Sequence, residues 1–338
     1  MSKIRFKMSG FLLLALMLVL GACSNASNTA DMSNTSNTSA EVKETGNNAA
    51  GANTAKIIKD IFGEVEIPAE PQNLLVTNSS YAEYLIEIGI VPQMVLLTAE
   101  IEPDYRKPYF EQHGVKMIET VQYQYNYEQL LALSPDLIIS QGTGMEQTVY
   151  DDLNKVAPTV ALDTTGDMED AIPKFGELFG KTAEATQVLE VFNGKVDQAR
   201  TEIAQAIGDK TVLVLRVESD RYRYMGAQAA NSSSRFFYEK LGLHIPEIFK
   251  DSKDWFTPFS LEILPEIKPD YIFLEQRMLQ GSDASQSMKD LEANPLWKSM
   301  EAVKNGQVFP LKTSDFVQGS GPVGSALLID YIVEKLVP

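Results

Sequence analysis

Residues 126–139 read NYEQLLALSPDLII and residues 260–273 read SLEILPEIKPDYIF; the two stretches align without a gap, 134 positions apart. Glu128 matches Glu262, Leu130 matches Leu264 and Leu133 matches Ile267. Pro135-Asp136 matches Pro269-Asp270, and Ile138 matches Ile272. In each copy Asn126 or Ser260 is followed two residues later by Glu and then by apolar residues at helical spacing, the pattern of a capped short helix. Pro-Asp ends the helix and a β-rich run follows, so each copy reads helix, turn, buried strand. Solenoid units are about 20 to 50 residues long, far shorter than this period, so the repeat predicts two similar α/β lobes.

The flanking segments complete the lobes. Asn73 to Thr77 is apolar enough for a first strand, followed by a helix from Tyr81 to Glu87 that stops at Gly89. Thr211 to Val217 is the corresponding strand of the second lobe. Between the lobes, Met168 to Ile207 is helical in pattern with an interruption near Gly180. From Ala183 onward Val188, Leu189, Phe192, Val196, Ala199, Ile203 and Ile207 form one apolar stripe. A helix of that length spans roughly 36 Å and predicts a stiff spine bridging both lobes. The expected organisation is a first lobe over 56–166, connecting helices over 167–208 and a second lobe over 209–338.

The 338 residues are 44% hydrophobic and carry 29 Lys plus Arg against 46 Asp plus Glu, a formal charge of −17. Such a chain buries a substantial core and offers no basic surface for nucleic acid or anionic lipid. One cysteine and two histidines exclude an internal disulfide and argue against a Cys/His zinc site or a Ser/His nucleophile. His113 and His244 show no metal-ligand spacing.

The lone Cys23 is the informative one. Residues 1–22 have a basic start (Lys3, Arg5, Lys7), an apolar run from Phe11 to Leu20 and small residues Gly21 and Ala22, the layout of an export signal. The run is shorter than the roughly 20 residues a spanning helix needs. Leu20-Gly21-Ala22-Cys23 resembles the lipobox of bacterial lipoproteins, in which the cysteine is lipidated and becomes the new N-terminus; the alternative is an uncleaved anchor or a chance cysteine. Loss of residues 1–22 leaves 26 basic against 46 acidic residues, a net charge of −20, so attachment to a membrane rests on acyl chains. The Ser-, Asn- and Thr-rich stretch up to residue 55 is expected to be a flexible tether over 23–55.

From about Lys56 to Pro338 the chain resembles the solute-binding lipoproteins of ABC importers, in the branch that captures ferric siderophores, haem and cobalamin. The resemblance is carried by residues 126–139, by Phe175 to Ala185, by Asn294-Pro-Leu-Trp297 with Ala302 to Val308, and by Gly321-Pro322 before the terminal helix. It implies an α/β fold of two Rossmann-like lobes joined by one long helix, with the ligand in the cleft between them. It also implies a monomer that hands its cargo to an ABC permease dimer with its ATPase. No cofactor or protein metal site is implied, because iron arrives inside the siderophore.

In open α/β sheets ligands sit beyond the carboxyl ends of the strands. Arginine is scarce here, yet Arg216, Arg221, Arg223, Arg235 and Arg277 all fall in the second lobe, and Arg106 follows a strand of the first. Guanidinium forks suit an anionic or oxygen-rich ligand, and Trp255, Tyr123 and Tyr125 can supply flat walls. The candidate ligand residues are therefore Arg106, Tyr125, Arg216, Arg221, Arg223, Trp255 and Arg277. The competing reading has Arg221 and Arg223 as turn residues in solvent and Arg235 paired with Glu239 at i,i+4. Glu128 and Glu262, at equivalent helix starts, match positions where the family docks onto permease arginines; capping energetics of about 0.3 to 1 kcal/mol also account for them.

The resemblance with the arginine and tyrosine supply favours a ferric hydroxamate or citrate-hydroxamate. Ferric catecholate, haem and cobalamin are alternatives within the fold. A lipoprotein hydrolase is the alternative outside it, for which no Gly-x-Ser-x-Gly elbow or phosphate loop is present; a structural or adhesive surface protein would not need paired glutamates in two lobes.

Overall fold

The computed structural model of this chain describes residues 55–121, 124–164, 167–279 and 282–338. Cys23, the export signal, the tether before residue 55 and the pair Gln122 and Tyr123 lie outside the described residues. The chain enters through a hairpin of β1 (Ala55–Lys59) and β2 (Glu64–Pro68), which turns Val65 and Ile67 inward.

The first lobe alternates β3 (Leu74–Val76), α1 (Ser79–Glu87), β4 (Met94–Leu97), α2 (Arg106–Gln112), β5 (Lys116–Glu119), α3 (Tyr127–Leu133), β6 (Leu137–Gln141), α4 (Gln147–Val156) and β7 (Thr159–Leu162). Its sheet has the order β5-β4-β3-β6-β7 with every pair parallel. Asn78 caps α1 by accepting from the amides of Ser80 and Tyr81. Helices α5 (Met168–Phe179) and α6 (Thr182–Ile207) come next, separated where Gly180 takes φ +67, a left-handed conformation that glycine adopts freely. The 26 residues of α6 span about 39 Å.

The second lobe begins with β8 (Val212–Val217) and β9 (Tyr222–Met225), then α7 (Ser232–Ser234) running into a π-helical turn over Arg235–Lys240. It continues with β10 (Phe256–Phe259), α8 (Leu264–Ile267), β11 (Tyr271–Gln276) and a ribbon of β12 (Met278–Leu279) with β13 (Ser282–Asp283). Then come α9 (Ser285–Ala293), α10 (Pro295–Ser299), α11 (Glu301–Lys304), β14 (Val308–Leu311) and the closing α12 (Pro322–Leu336). Sheet order is β10-β9-β8-β11-β14. Strands β8, β11 and β14 are parallel, but β9 and β10 run antiparallel, so the second lobe departs from the first on that side.

The repeat is reproduced down to its backbone. Among the described residues, the two non-glycine residues with positive φ are Ser134 at 50° and Lys268 at 44°, one at the end of each repeat helix and 134 positions apart. Asp136 then accepts from the amides of Gln72 and Asn73 at 2.6 and 3.0 Å, and Asp270 accepts from the Thr211 amide at 2.8 Å and its hydroxyl at 3.1 Å. Each aspartate thereby ties the start of its own strand to the start of the first strand in its lobe. Leu130, Leu264, Ile138 and Ile272 are buried.

Three apolar cores result. One lies on the outer side of the first sheet, around Leu75, Leu96, Ile118 and Ile138; another lies on the outer side of the second, around Leu213, Leu215, Ile272 and Trp297. The third is continuous through both lobes, joining Val76 and Ile139 to Val214 and Phe273 by way of Phe192, Val196, Ala199 and Ile203 of α6 and Ile329 and Ile332 of α12. The spine is thus embedded in shared core, not laid over two independent domains. Among the described residues no helix is long and apolar enough to cross a membrane.

Candidate functional site

The carboxyl ends of both sheets open on a cleft with two chambers. A cavity of about 610 Å³ is walled mainly by the first lobe, and one of about 960 Å³ mainly by the second. Ile101 and Glu102 from one side, Val317 and Gln318 from the other, line both and form the partition. Gln318 sits in a π-helical turn, Ser314–Gln318, and its carbonyl accepts from Ser80 Oγ at 3.0 Å and Arg106 Nη2 at 2.8 Å, so first-lobe donors hold the second-lobe edge of the partition.

In the first chamber the strands end in short hydroxyl residues. Thr77, Thr98 and Ser140 each follow an apolar run, Thr120 follows the half-polar β5, and all four line the cavity. Thr77 and Ser140 share a hydrogen bond of 2.7 Å, Asn78 Nδ2 donates to Gln141 Oε1 at 3.3 Å, and Tyr81 Oη pairs with Thr164 Oγ1. Burial pushes the Tyr81 phenol up to about 12, so it stays a neutral donor and acceptor. No Lys or Arg lines this chamber among the described residues; Glu102 and Glu146 do.

In the second chamber the strands end in long side chains. Arg216 is the last residue in the row Val212, Val214, Arg216 on the inner face of β8, in register with Glu275 on β11 and Arg223 on β9. It is 2% exposed, donates through Nε to Glu275 Oε2, and lies 3.6 Å from the Phe256 ring centre and 5.1 Å from that of Trp255. Burial draws its pKa below the ordinary value against the pull of Glu275, and its Nη2 has no hydrogen-bond partner among the described residues. Glu275 also accepts from Thr313 Oγ1 and lies 3.9 Å from Arg277 Nη1. Trp255 and Arg277 are on the chamber wall, and Trp255 Nε1 and Arg277 Nη1 also lack hydrogen-bond partners among the described residues.

The remaining sequence candidates are dispersed. Arg106 is completely buried and lines neither chamber. Its guanidinium donates to Glu83 at 3.0 Å, Glu102 at 3.3 Å, Ser79 Oγ at 3.0 Å and Tyr105 Oη at 2.9 Å. Burial opposes its charge, but Glu83, Tyr105 and Glu102 outweigh that and raise its pKa. Arg221 sits in the β8–β9 turn, paired with Asp220 at 2.6 Å, and Arg223 pairs with Glu218 at 3.4 Å. Tyr125 lines the first chamber. Arg235 meets Asp167, not Glu239 as the i,i+4 spacing suggested, because residues 235–240 are π-helical and the chain preceding α5 lies beside them. Glu128 and Glu262 are exposed in the first turns of the two repeat helices.

Sequence reasoning located the loops and passed over the hydroxyl row and the residues Val317 and Gln318. The row had a partial signal: the apolar runs of β3, β4 and β6 each lead into Thr or Ser, whereas β5 is half polar. The partition had none, since it depends on where α12 is docked. Glu83, buried in α1, accepts from the Val323 amide at 2.9 Å at the start of α12 and from Tyr105 Oη at 2.6 Å. A Cβ at Gly321 would stand 2.1 Å from Glu83 Oε1, which accounts for glycine before Pro322.

A FhuD-type iron(3+)-hydroxamate-binding protein of Bacillus subtilis is 28% identical over 337 residues, covering 97% of this chain and 96% of that protein. An Fe(3+)-citrate-binding protein of the same organism is 25% identical, covering 86% and 90%. Among solved structures, a periplasmic binding protein component of a ferrichrome ABC transporter from Bacillus subtilis superposes with a TM-score of 0.68 at 27% identity, covering 83% of this chain and 99% of that one. Staphylococcus aureus SirA complexed with staphyloferrin B gives 0.67 at 25% identity, covering 83% and 98%. The two lobes, the spine, the cleft and a match of residues 74–314 to the family model agree: the chain belongs to the periplasmic binding protein family.

Proposed function

We propose that this protein is the receptor of an iron ABC importer, a capture protein and not an enzyme, which binds a ferric siderophore of the hydroxamate class in the two-chambered cleft. Lipid on Cys23 holds it at the outer face of the cell membrane, and substitution of Cys23 by Ser releases it from the membrane fraction. Glu128 and Glu262 present one carboxylate from each lobe to a permease dimer, which works with its ATPase on a monomeric receptor.

The observation that carries the ligand class is the charge of the cleft. Three singly charged hydroxamates neutralise Fe³⁺, whereas three catecholates leave a trianion. The walls carry Arg277 and Lys312 against Glu100, Glu102, Asp104, Glu146 and Glu292, and Arg216, Arg221 and Arg223 are each paired with acids. Such a cleft offers donors without a net positive field, which suits a neutral oxygen-rich complex and disfavours a trianion. The name of the iron(3+)-hydroxamate-binding relative supports the same reading.

Tryptophan quenching tests it. The protein has two tryptophans; Trp255 lines the cleft and Trp297 is buried in the second-lobe core. Titration with ferric hydroxamates, ferric citrate, ferric catecholates, haem and cobalamin is expected to saturate at the lowest concentration with a ferric hydroxamate. Tighter binding of catecholate, haem or cobalamin would overturn the ligand class, and no response to any would overturn the receptor reading.

A further inference from the structure

The π-helical turn Ser314–Gln318 stands between the chambers, and both lobes hold it. From the second lobe, Ser233 Oγ donates to the Phe316 carbonyl at 3.1 Å. From the first, Ser80 Oγ and Arg106 Nη2 donate to the Gln318 carbonyl at 3.0 and 2.8 Å. Val317, between those two carbonyls, lines both chambers. The turn closes on a bond from the Gly319 amide to the Ser314 carbonyl at 2.8 Å, five residues back, a rare geometry that recurs at functional sites.

Behind the turn lies Glu83, which lines neither chamber and, like Arg106, is 0% exposed. Its Oε1 accepts from the Val323 amide at 2.9 Å and the Gly324 amide at 3.4 Å; its Oε2 accepts from Arg106 Nη2 at 3.0 Å and Tyr105 Oη at 2.6 Å. One buried carboxylate therefore grips both ends of the stretch 318–324, the start of α12 directly and the Gln318 carbonyl by way of Arg106. A Cβ at Gly324 would overlap Tyr105 Oη and the Gly319 carbonyl, so this stretch is packed tightly against the first lobe. A buried polar network with its acceptors and donors matched in this way is stiff.

Resting on the receptor reading above, we propose that Glu83 is a positioning residue for ligand selection. Through Arg106 and α12 it fixes the Val317–Gln318 wall before any ligand arrives, and the cleft discriminates among ferric complexes by the shape of that preset partition. Complexes that share one coordination core but carry scaffolds of different breadth offer the same charge and differ in how they clear the wall. A fixed wall turns a steric misfit into lost affinity, whereas a yielding wall relaxes around it.

The test titrates the purified protein and three variants, by tryptophan quenching, with two ferric trihydroxamates of the same coordination core, one on a compact cyclic scaffold and one on an open linear scaffold. Thermal unfolding sets a temperature at which each variant used is folded. The parent is expected to favour one scaffold by about tenfold. Glu83→Gln puts an amide against Arg106 and is expected to bring the two affinities within about threefold of each other. Tyr105→Phe removes a single hydroxyl from the same network and is expected to move the ratio toward one by about twofold or more. Asp136→Ala releases a strand clamp remote from the cleft and is expected to lose stability while keeping the parent ratio. A parent ratio retained in Tyr105→Phe overturns the proposal, even where Glu83→Gln fails to fold. Equal affinity of the parent for both scaffolds, or the same loss of ratio in Asp136→Ala, also overturns it. Failure of the parent to bind either complex overturns instead the receptor reading beneath it.

Discussion

Arg106 and Arg216 are both buried arginines beside the cleft, one in each lobe, and the protein uses them in opposite ways. Both Nη atoms of Arg106 are engaged, by Glu83, Glu102, Ser79, Tyr105 and the Gln318 carbonyl, its Nε alone has no hydrogen-bond partner among the described residues, and its pKa is raised. Arg216 has one carboxylate, an aromatic stack and an orphaned Nη2, and its pKa is lowered. Acceptors on most sides make Arg106 a joint between the lobes, through Glu83 and the Gln318 carbonyl; Arg216 is held in place by one carboxylate and by aromatic rings.

The comparison breaks most readily at Arg106. Arg106→Met leaves Glu83 buried against Val323 and Tyr105 without its counter-charge, and removal of one member of such a pair costs about 3 to 5 kcal/mol. Arg216→Met leaves Glu275 with Thr313 and Arg277 and is expected to cost about 1 to 3 kcal/mol. Urea unfolding of the two variants measures the difference; equal losses, or a larger one at Arg216, would remove the distinction between the two arginines.

The repeat aspartates sharpen what the lobes share. Asp136 and Asp270 clamp the first strand of their lobes with two hydrogen bonds each, so Asp136→Ala and Asp270→Ala are expected to lose similar stability, about 1 to 3 kcal/mol. Denaturant midpoints check this. A loss confined to one variant would mean that only one lobe depends on the clamp.

The same motif explains how far the sequence was readable. Helix and left-handed turn are local in sequence and the strand is a continuous buried run, so the repeat specifies them in both copies, while each aspartate reaches a partner 64 or 59 residues earlier; the stripe on α6 specifies the spine. The path of the chain beyond the first strand of each lobe is not specified locally. In the first, Asn78 caps a helix and the chain returns parallel; in the second, Glu218 to Arg221 turn back at once and β9 runs antiparallel. A turn of Glu-Ser-Asp-Arg carries no glycine or proline to announce that reversal. Charge counting likewise marked the second-lobe arginines without distinguishing Arg277 on the wall from Arg221 in a turn. That difference depends on strand register and on acids both near and far in sequence, such as Asp220 beside Arg221 and Glu275 across the sheet from Arg216. Arg106 came after a strand, as a ligand donor would, but α1 and the Ser314–Gln318 turn converge on it.

The smallest effect is expected where the two lobes are most alike on the surface. Glu128 and Glu262 are exposed, lie in the first turns of equivalent helices, and form no ion pair among the described residues. Replacement of either by Ala is expected to change stability by less than about 0.5 kcal/mol and to leave ligand affinity unchanged. Under the proposed docking, replacement of both by Lys is expected to stop uptake of the bound ferric complex by whole cells, because like charges across the proposed interface slow encounter more than they weaken the fold. Uptake that persists in the double Lys variant would confine both glutamates to helix capping, and uptake lost with one replacement alone would show that the permease reads the two lobes unequally.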